Sequence, residues 1–298
     1  MSQTAVVTHQ KAIRKDNPVM KVIGRVLLYT VLIAMALFTL IPFVWMLSSS
    51  LKLDQEVFQY PIRWIPETFH WENYRVIWER VSLLTYFKNT AIIALAVTFL
   101  QTLTSSFAAY AFAKLRFKGR DLLFVAYIAT IAVPWQAYML PQFIMMRSMG
   151  LYDTLLAMIV LQAFSAFGVF LMRQFYQGIP TELCEAARID GAGRMQQFRK
   201  LTLPFVLFST MPVLIGQFIG NFNNFGIFYF LRGGLYMDGY FLASDTDLLI
   251  NWLYNLSIDN NYYCIGAAIS LIIFFITSAI SLVVYIKSPS YREEDTFQ

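Results

Sequence analysis

Six apolar runs without a charged residue alternate with polar segments along the chain. Each run has roughly the 20 residues that a helix needs to cross the hydrocarbon layer of a bilayer. The predicted spans are Val26–Leu51, Asn89–Ala113, Leu122–Met146, Thr154–Met172, Phe205–Leu231 and Tyr262–Ile286. Pro134 and Pro141 are expected to kink the third span, because proline has no amide hydrogen to donate to the helix ladder. The pattern predicts an all-α polytopic membrane protein with six transmembrane helices.

The composition agrees with this prediction. Only 14% of the residues are charged, whereas soluble domains carry roughly 25%. A net charge of +5 would also suit nucleic-acid binding, but the basic residues are spread over several segments and do not form one surface. The two histidines, His9 and His70, are too few and too scattered for a metal site. We therefore expect membrane lipid around the protein, no nucleic-acid partner, no metal and no cofactor.

Lysine and arginine predict the orientation. If the N-terminus is cytosolic, the inner segments hold 16 of these residues and the outer segments hold 7. Inner loops of membrane proteins carry such an excess, so both termini are predicted to be cytosolic. The first apolar run is too long for the core of a signal peptide, and we interpret it as a retained span.

The same pattern sets the expected boundaries. Residues 1–24 form a cytosolic N-terminal tail, and residues 25–88 form the first transmembrane helix and an external loop. Residues 89–286 form a five-helix core that includes the polar segment 180–204, and residues 287–298 form a cytosolic C-terminal tail.

Two predicted outer loops are substantial. Residues 52–88 are rich in tryptophan, tyrosine and proline, which fits either an aromatic belt at the membrane interface or a docking surface for an external partner. Residues 232–261 fit either a solvated connection or a surface feature. The sequence leaves both pairs of alternatives open.

The polar segment 180–204 lies between two very apolar runs and is predicted to be cytosolic. A short helix is expected from about Pro180 to Asp190, because proline suits the first turn of a helix. Glu182 and Glu185 would lie near the positive end of its dipole. Gly191 is a typical residue just past a helix end. The segment therefore predicts a short surface helix closed by glycine.

Several chemistries are missing from the sequence. It contains no GxxxxGK[ST] motif for nucleotide phosphates and no HExxH motif for zinc. The six predicted spans contain no Asp, Glu, Lys, Arg or His, although carriers driven by protons or ions usually place an ionisable group in the bilayer. The absence argues against a secondary carrier and more strongly against an enzyme.

Neutral polar residues take the place of charges. Gln217, Asn221 and Asn224 fall at i, i+4 and i+7 of the fifth predicted span, which places them on one helical face. Such a face suits a hydroxyl-rich ligand, because amides bond hydroxyls and nearby phenylalanines cover a sugar ring. Amides also join helices to each other, and both interpretations stay open. Phe164 and Phe167 of the fourth span are candidates for the same cavity, with packing as the alternative.

A second polar run, Gln101–Ser106, occurs in the second predicted span. Small hydroxyl-bearing residues of this kind permit close approach of transmembrane helices. We interpret this run as a packing surface.

The spacing of segment 180–204 resembles the EAA loop of binding-protein-dependent ABC importer permeases. That pattern is Glu-Ala-Ala, three residues, Gly, nine residues, an aliphatic residue, one residue, then Leu-Pro. The chain matches it with Glu185-Ala186-Ala187, Gly191 and Leu201-Thr202-Leu203-Pro204. Further matches at residues 109–119 and 150–154 extend the resemblance to permeases for oligosaccharides of the maltose/maltodextrin type. The resemblance implies the type I (MetI-like) permease fold of the bacterial cell membrane.

The resemblance also implies a mechanism and partners. A cytosolic coupling helix would be seated on a separate ABC ATPase, present in two copies, so the chain itself would not be an enzyme. A second permease subunit would complete a heterodimer, and an extracytoplasmic sugar-binding protein would deliver the ligand. The implied ATPase-coupling residues are Glu185, Ala186, Ala187, Asp190 and Gly191. The implied sugar-site positions are Gln217, Gly220, Asn221 and Asn224. Gly220 stands where the family has an aromatic residue.

The resemblance does not assign the chain to one half of the heterodimer. The first 180 or so residues look most like the six-span partner that lacks the main sugar site. The later residues look like the sugar-contacting partner, whose extra N-terminal spans are missing. Two alternatives to a sugar importer remain: an ABC importer for another solute, and a self-sufficient secondary carrier.

Overall fold

The computed structural model describes residues 18–79, 82–179, 181–226, 228–234, 236–238 and 241–287. Most of both predicted tails, and Pro180 at the predicted start of the short helix, lie outside the described residues. The longer elements are α1 (Pro18–Ser50), α4 (Leu83–Lys114), α5 (Arg120–Ala129), α6 (Trp135–Ser148), α7 (Leu155–Gln162), α8 (Ala166–Gly178), α9 (Thr181–Ile189), α11 (Leu203–Phe222) and α14 (Tyr263–Lys287). The shorter ones are α2 (Asp54–Val57), α3 (Glu72–Glu79), α10 (Arg194–Gln197), α12 (Phe228–Leu231), β1 (Tyr236–Asp238), β2 (Phe241–Ala243) and α13 (Leu249–Tyr254).

The six predicted spans correspond to α1, α4, α5 with α6, α7 with α8, α11 and α14. Within the described residues, α1, α4 and α14 are each long and apolar enough to cross a membrane unaided. The pairs α5/α6 and α7/α8 each qualify when the bent pair counts as one span. The helix α11 has 20 residues, and its described part Val213–Phe222 is apolar but shorter than a full span.

The fifth span ends earlier than its composition indicates. It was expected to continue to Leu231, but α11 ends at Phe222 and a turn follows. Asparagine competes for backbone hydrogen bonds and glycine loosens a helix, and Asn223, Asn224 and Gly226 come directly after the helix. The prediction that Asn224 continues the helical face of the amides is therefore wrong.

The third span breaks at Pro134. The axes of α5, with its 3-10 turn Thr130–Ala132, and α6 differ in direction by 97°. Val133 is extended, as the residue before a proline usually is. Pro141 lies inside the continuous helix α6, so the predicted bend of the third span is confirmed at Pro134.

The fourth span also breaks, at residues 163–165, where α7 and α8 meet at 45°. The Ser165 hydroxyl caps the start of α8 by accepting a hydrogen bond from the amide of Gly168 (3.0 Å). The break leaves carbonyl groups without helical partners, and α4 supplies two of the missing donors. Gln101 Nε2 donates to the carbonyl of residue 162 (2.6 Å) and Thr104 Oγ1 to that of residue 163 (2.7 Å). The polar run of α4 thus donates hydrogen bonds to the carbonyl groups at the break and also packs beside it.

The helix α4 is central to the core. It packs against α7, α8, α11 and α13, and its buried side chains belong to all three buried apolar clusters. By contrast, α1 is exposed on every side from Val22 to Ile41 and contacts α14 near its outer end, where the rings of Phe43 and Phe274 are 5.1 Å apart.

The second outer loop is a folded unit and not a plain connection. It contains the antiparallel hairpin β1–β2 and the short helix α13. Asp153 Oδ1 accepts a hydrogen bond from Thr246 Oγ1 (2.6 Å), and Arg232 pairs with the fully buried Asp247 (3.5 Å). Burial raises the pKa of the Asp247 carboxyl, although Arg232 favours the ionised form. Asn89 Nδ2 donates to the carbonyl of Asp247 (3.1 Å) and ties the loop to α4.

The first outer loop is tied to the ends of two spans. Lys52 is buried and donates to the carbonyl of Arg63, and Asp54 accepts a hydrogen bond from the amide of Cys264 at the start of α14 (2.8 Å). Tyr60 and Trp71 remain exposed. The structure therefore keeps both interpretations of the aromatic loop, the interfacial belt and the docking surface.

The close contact between α4 and α8 gives a testable prediction. A Cβ atom added at Gly168 would lie 2.6 Å from Ser105 Oγ, whereas one added at Gly178 of the same helix would meet nothing within 4 Å. Gly168→Ala should lower the free energy of unfolding by about 1–3 kcal/mol through overpacking. Gly178→Ala is the matched control and should change it by less than about 0.5 kcal/mol. The measurement is the unfolding of the purified protein in detergent, and equal values for the two variants would contradict the prediction.

Candidate functional site

The predicted short helix is present as α9, and glycine ends it as expected. Gly191 has φ of +82°, a conformation that glycine adopts without strain. The amide of Ala192 donates to the carbonyl of Ala187 (2.9 Å) and that of Gly191 to the carbonyl of Arg188 (3.1 Å). These two bonds form a Schellman motif, which fixes the helix end.

The described face of α9 is open to solvent. Glu185, Ala186 and Asp190 are exposed, and Ala187 is half-buried. Ile189 is 87% exposed and presents a large apolar side chain on this surface. The five residues predicted to couple to an ATPase therefore surround an accessible surface that no described part of the chain covers.

The same segment is attached firmly to the membrane helices. Lys114 Nζ at the end of α4 donates to the carbonyl of Ile179, just before α9 (2.9 Å). Beyond α9, the ring of Phe198 stacks on that of Phe107 (5.8 Å between centroids) and meets that of Tyr110 edge-on (5.3 Å). A displacement of α9 would therefore be transmitted to α4.

Two of the predicted sugar-site amides are bonded to α4. Gln217 Nε2 donates to Gln101 Oε1 (2.8 Å), and Asn221 Nδ2 donates to Thr98 Oγ1 (3.0 Å). Asn221 is only 3% exposed, so its amide is committed to joining α11 and α4. Gln217 also lines a cavity of about 30 Å³ between α4, α8 and α11, which has room for about one water molecule.

The other two predicted positions on this segment are more accessible. Gly220 is exposed, and a Cβ atom there would meet nothing within 4 Å. The side-chain amide of Asn224 forms no hydrogen bond with the described residues, whereas that of Asn223 donates to the carbonyl of Ile219 (3.2 Å). Among the described residues, the amides of Gln217, Asn221 and Asn223 therefore have partners, and that of Asn224 has none.

Phe164 and Phe167 lie at the break of the fourth span, with side chains 70% and 54% exposed. They line a groove of about 510 Å³ together with Tyr127 and Tyr138. Phe167 also lines the small cavity beside Gln217. The predicted site is therefore divided between two adjoining spaces. Sequence reasoning missed the two tyrosines, and the proline break between them was the one signal that could have indicated them.

Metal-binding side chains do not cluster in the part of the chain that the structure describes: no three His, Cys, Asp or Glu residues come together there. The small cavity is lined by neutral side chains throughout, with Gln101, Ser105, Ser165, Thr210 and Gln217 as members with hydrogen-bonding groups. The site is thus suited to neutral polar chemistry.

Comparison with known proteins identifies the family. Residues 101–292 match the profile of the family described as "Binding-protein-dependent transport system inner membrane component". The maltodextrin transport system permease protein MdxF of Bacillus subtilis (strain 168) is 44% identical over 120 residues, which are 40% of this chain and 28% of MdxF. The lactose transport system permease protein LacG of Rhizobium radiobacter is 30% identical over 197 residues, which are 66% of this chain and 71% of LacG.

A solved structure agrees with the fold. It belongs to a bacterial ABC transporter involved in the import of the acidic polysaccharide alginate, and its aligned chain superimposes with a TM-score of 0.73 at 22% identity. The alignment covers 90% of this chain and 97% of the other. The family match and this likeness confirm the predicted MetI-like permease fold of a multi-pass membrane protein. The chain belongs to the family of inner membrane components of binding-protein-dependent transport systems.

Proposed function

We propose that this chain is a transmembrane permease subunit of an ATP-driven, binding-protein-dependent importer for neutral oligosaccharides of the maltodextrin type. Family membership and the sugar-permease names of its relatives support the proposal. The chain would lie in the bacterial cell membrane with both tails in the cytosol. The aromatic outer loop would receive an extracytoplasmic sugar-binding protein.

The exposed helix α9 is the observation that carries the proposal. A short, well-capped helix with an exposed isoleucine has the properties of an interface anchor, and the chain has no phosphate-binding loop of its own. We infer that Glu185, Ala186, Ala187, Asp190 and Gly191 sit on an ABC ATPase. A second permease subunit would present its own coupling helix, so the assembly would contain two ATPase copies.

The packing provides a route for coupling. When the ATPase subunits close, α9 moves, and the rings of Phe198, Phe107 and Tyr110 transmit the displacement to α4. Because α4 packs against α7, α8 and α11, these helices move with it. The permease would then alternate between inward-open and outward-open states.

The ligand would contact Gln217, Asn224, Phe164 and Phe167 beside the open face of Gly220. The bonded amide of Asn221 would position α11 at this site. Ligand sites usually need 300–1,000 Å³, and the cavity beside Gln217 has about 30 Å³. A second permease subunit would enclose the remaining space, as in the heterodimer that the family resemblance implies.

The coupling proposal predicts the effect of changes on α9. Ile189→Asp should weaken binding of the ATPase subunit by about tenfold or more, because it places a charge in an apolar contact. Glu185→Lys should leave the amount of protein in the membrane unchanged and uncouple ATP hydrolysis from transport. The measurements are co-purification of the ATPase and ATP-dependent uptake of labelled maltodextrin.

Ile65→Asp is the matched control for Ile189→Asp, because Ile65 is a similarly exposed isoleucine on the first outer loop. It should leave co-purification of the ATPase unchanged. If Ile189→Asp and Glu185→Lys couple normally, α9 is not the coupling helix. Transport by the purified chain alone, without ATP, would favour a self-sufficient carrier.

The ligand proposal predicts a difference between neighbouring asparagines. Asn224→Ala removes a free amide and should raise the KM for maltodextrin uptake by about two- to tenfold, the range for one lost hydrogen bond. Asn223→Ala removes an amide that is bonded to the carbonyl of Ile219 in the last turn of α11 and should change KM less than about twofold. Equal KM values for wild type and both variants would contradict sugar binding at Asn224. Uptake of a charged solute and of no neutral sugar would favour an importer of another class.

A further inference from the structure

Two broken helices meet at one groove. The 97° break between α5 and α6 and the 45° break between α7 and α8 both contribute to its walls. Thr130 and Val133 come from the first break, and Phe164 comes from the second. The groove has a volume of about 510 Å³, within the range of ligand sites.

Both breaks lie within the apolar layer. The bond from Lys114 Nζ to the carbonyl of Ile179 places the inner ends of α4 and α8 at the same level. The helix α8 has 13 residues, so the second break is about 20 Å above that level at 1.5 Å per residue. Residues of the first break line the same groove as those of the second, so the first break lies at a similar height. The hydrocarbon layer is about 30 Å thick.

Broken backbone at this depth does not suit contact with lipid. Unsatisfied backbone groups in hydrocarbon cost several kcal/mol each, so irregular segments at membrane depth are tolerated where they face protein or water. The second break has donors from α4, as described above. At the first break, the carbonyl of Val133 accepts no hydrogen bond from the described residues. We therefore expect the groove to be occupied by a molecule with polar groups.

The lining combines ring faces and hydroxyl groups. Phe164 and Phe167 present largely exposed rings. The hydroxyls of Tyr127 and Tyr138 form no hydrogen bonds with the described residues. Thr130 Oγ1 donates to the carbonyl of Tyr127 (2.6 Å) and can still accept a hydrogen bond. None of the lining residues is charged. A pyranose ring has the matching chemistry. Its apolar face can stack on the phenylalanine rings, and its hydroxyls can bond the tyrosine and threonine hydroxyls.

We propose that this groove is a second saccharide subsite, lined by Tyr127, Thr130, Tyr138, Phe164 and Phe167. It adjoins the cavity beside Gln217, because Phe167 lines both spaces. Short saccharides bind beside Gln217 in the larger space that the second permease subunit would enclose, and longer ones extend into the groove. This inference rests on the proposed function, to which it adds selection for chain length.

The test compares the uptake of maltose and maltohexaose. The full transporter, with its co-purified subunits, is reconstituted in liposomes with ATP inside and binding protein outside. Tyr127→Phe and Tyr138→Phe each keep the ring and remove one hydroxyl from the groove. Each should raise the KM for maltohexaose by about two- to tenfold, the range for one hydrogen-bonding contact. The KM for maltose should change less than about twofold.

Two further variants separate stacking from packing. Phe164→Trp keeps a ring face and should keep the KM for maltohexaose within about twofold of wild type. Phe99→Leu removes a similarly exposed ring from α4, outside the groove. It should leave the KM for maltose and the KM for maltohexaose unchanged. If Phe164→Trp lowers uptake together with the amount of protein in the membrane, the ring packs the fold and the subsite is refuted.

The remaining outcomes distinguish the two proposals. If wild-type transporter imports both sugars and the groove variants change neither KM, or change both equally, the subsite is refuted while the proposed function stands. If wild-type transporter imports neither sugar, the proposed function itself fails. If an acyl chain or a helix of the partner subunit is found cross-linked in the groove while maltohexaose is imported normally, the occupant is not a saccharide.

Discussion

The structure depends on satisfying backbone carbonyl groups inside an apolar layer. The fourth span breaks between α7 and α8, and a broken helix cannot bond its own carbonyls at that point. Gln101 and Thr104 of α4 provide the donors. The two helices must approach closely for these bonds to form, and Gly168 makes room for Ser105 at the same contact. A break that would be costly in lipid is thus maintained by the helix beside it.

The helix α4 connects the segments around α9 with the polar groups around the helix break. Its inner end bonds the chain just before α9, and Phe107 and Tyr110 hold the ring of Phe198 just after it. In the middle of α4, Gln101 and Thr104 donate to the carbonyls at the break, and Gln101 accepts a hydrogen bond from the amide of Gln217. A single helix therefore contacts both the segments that flank α9 and the polar groups around the break. In the proposed coupling, motion at one place would reach the other through this helix alone.

Much of the fold was predictable from local patterns. Apolar runs of about 20 residues located the spans, and the turn chemistry of Gly191 predicted the end of α9. These features depend on neighbouring residues alone. The end of α11 at Phe222 was missed because the residues beyond it are still apolar enough to continue a span, and only the run of asparagines before Gly226 indicates the turn. The convergence of Tyr127, Tyr138 and Phe164 was missed because it depends on how two breaks face each other, which periodicity does not encode.

The division of the amides follows from the cost of polar groups in the layer. A charge in the hydrocarbon is expensive, so polarity there is carried by amides and hydroxyls, and each of these must find a partner. Asn221 and Gln217 are bonded to α4, and those bonds hold α11 in place. The side-chain amide of Asn224 and the hydroxyl of Tyr138 have no such partner among the described residues. Since an unsatisfied polar group in a dry site is costly, these groups must face water or a ligand. The bonds of Gln217 and Asn221 therefore join two helices, and the amide of Asn224 is the one that the proposed ligand contact can use in full.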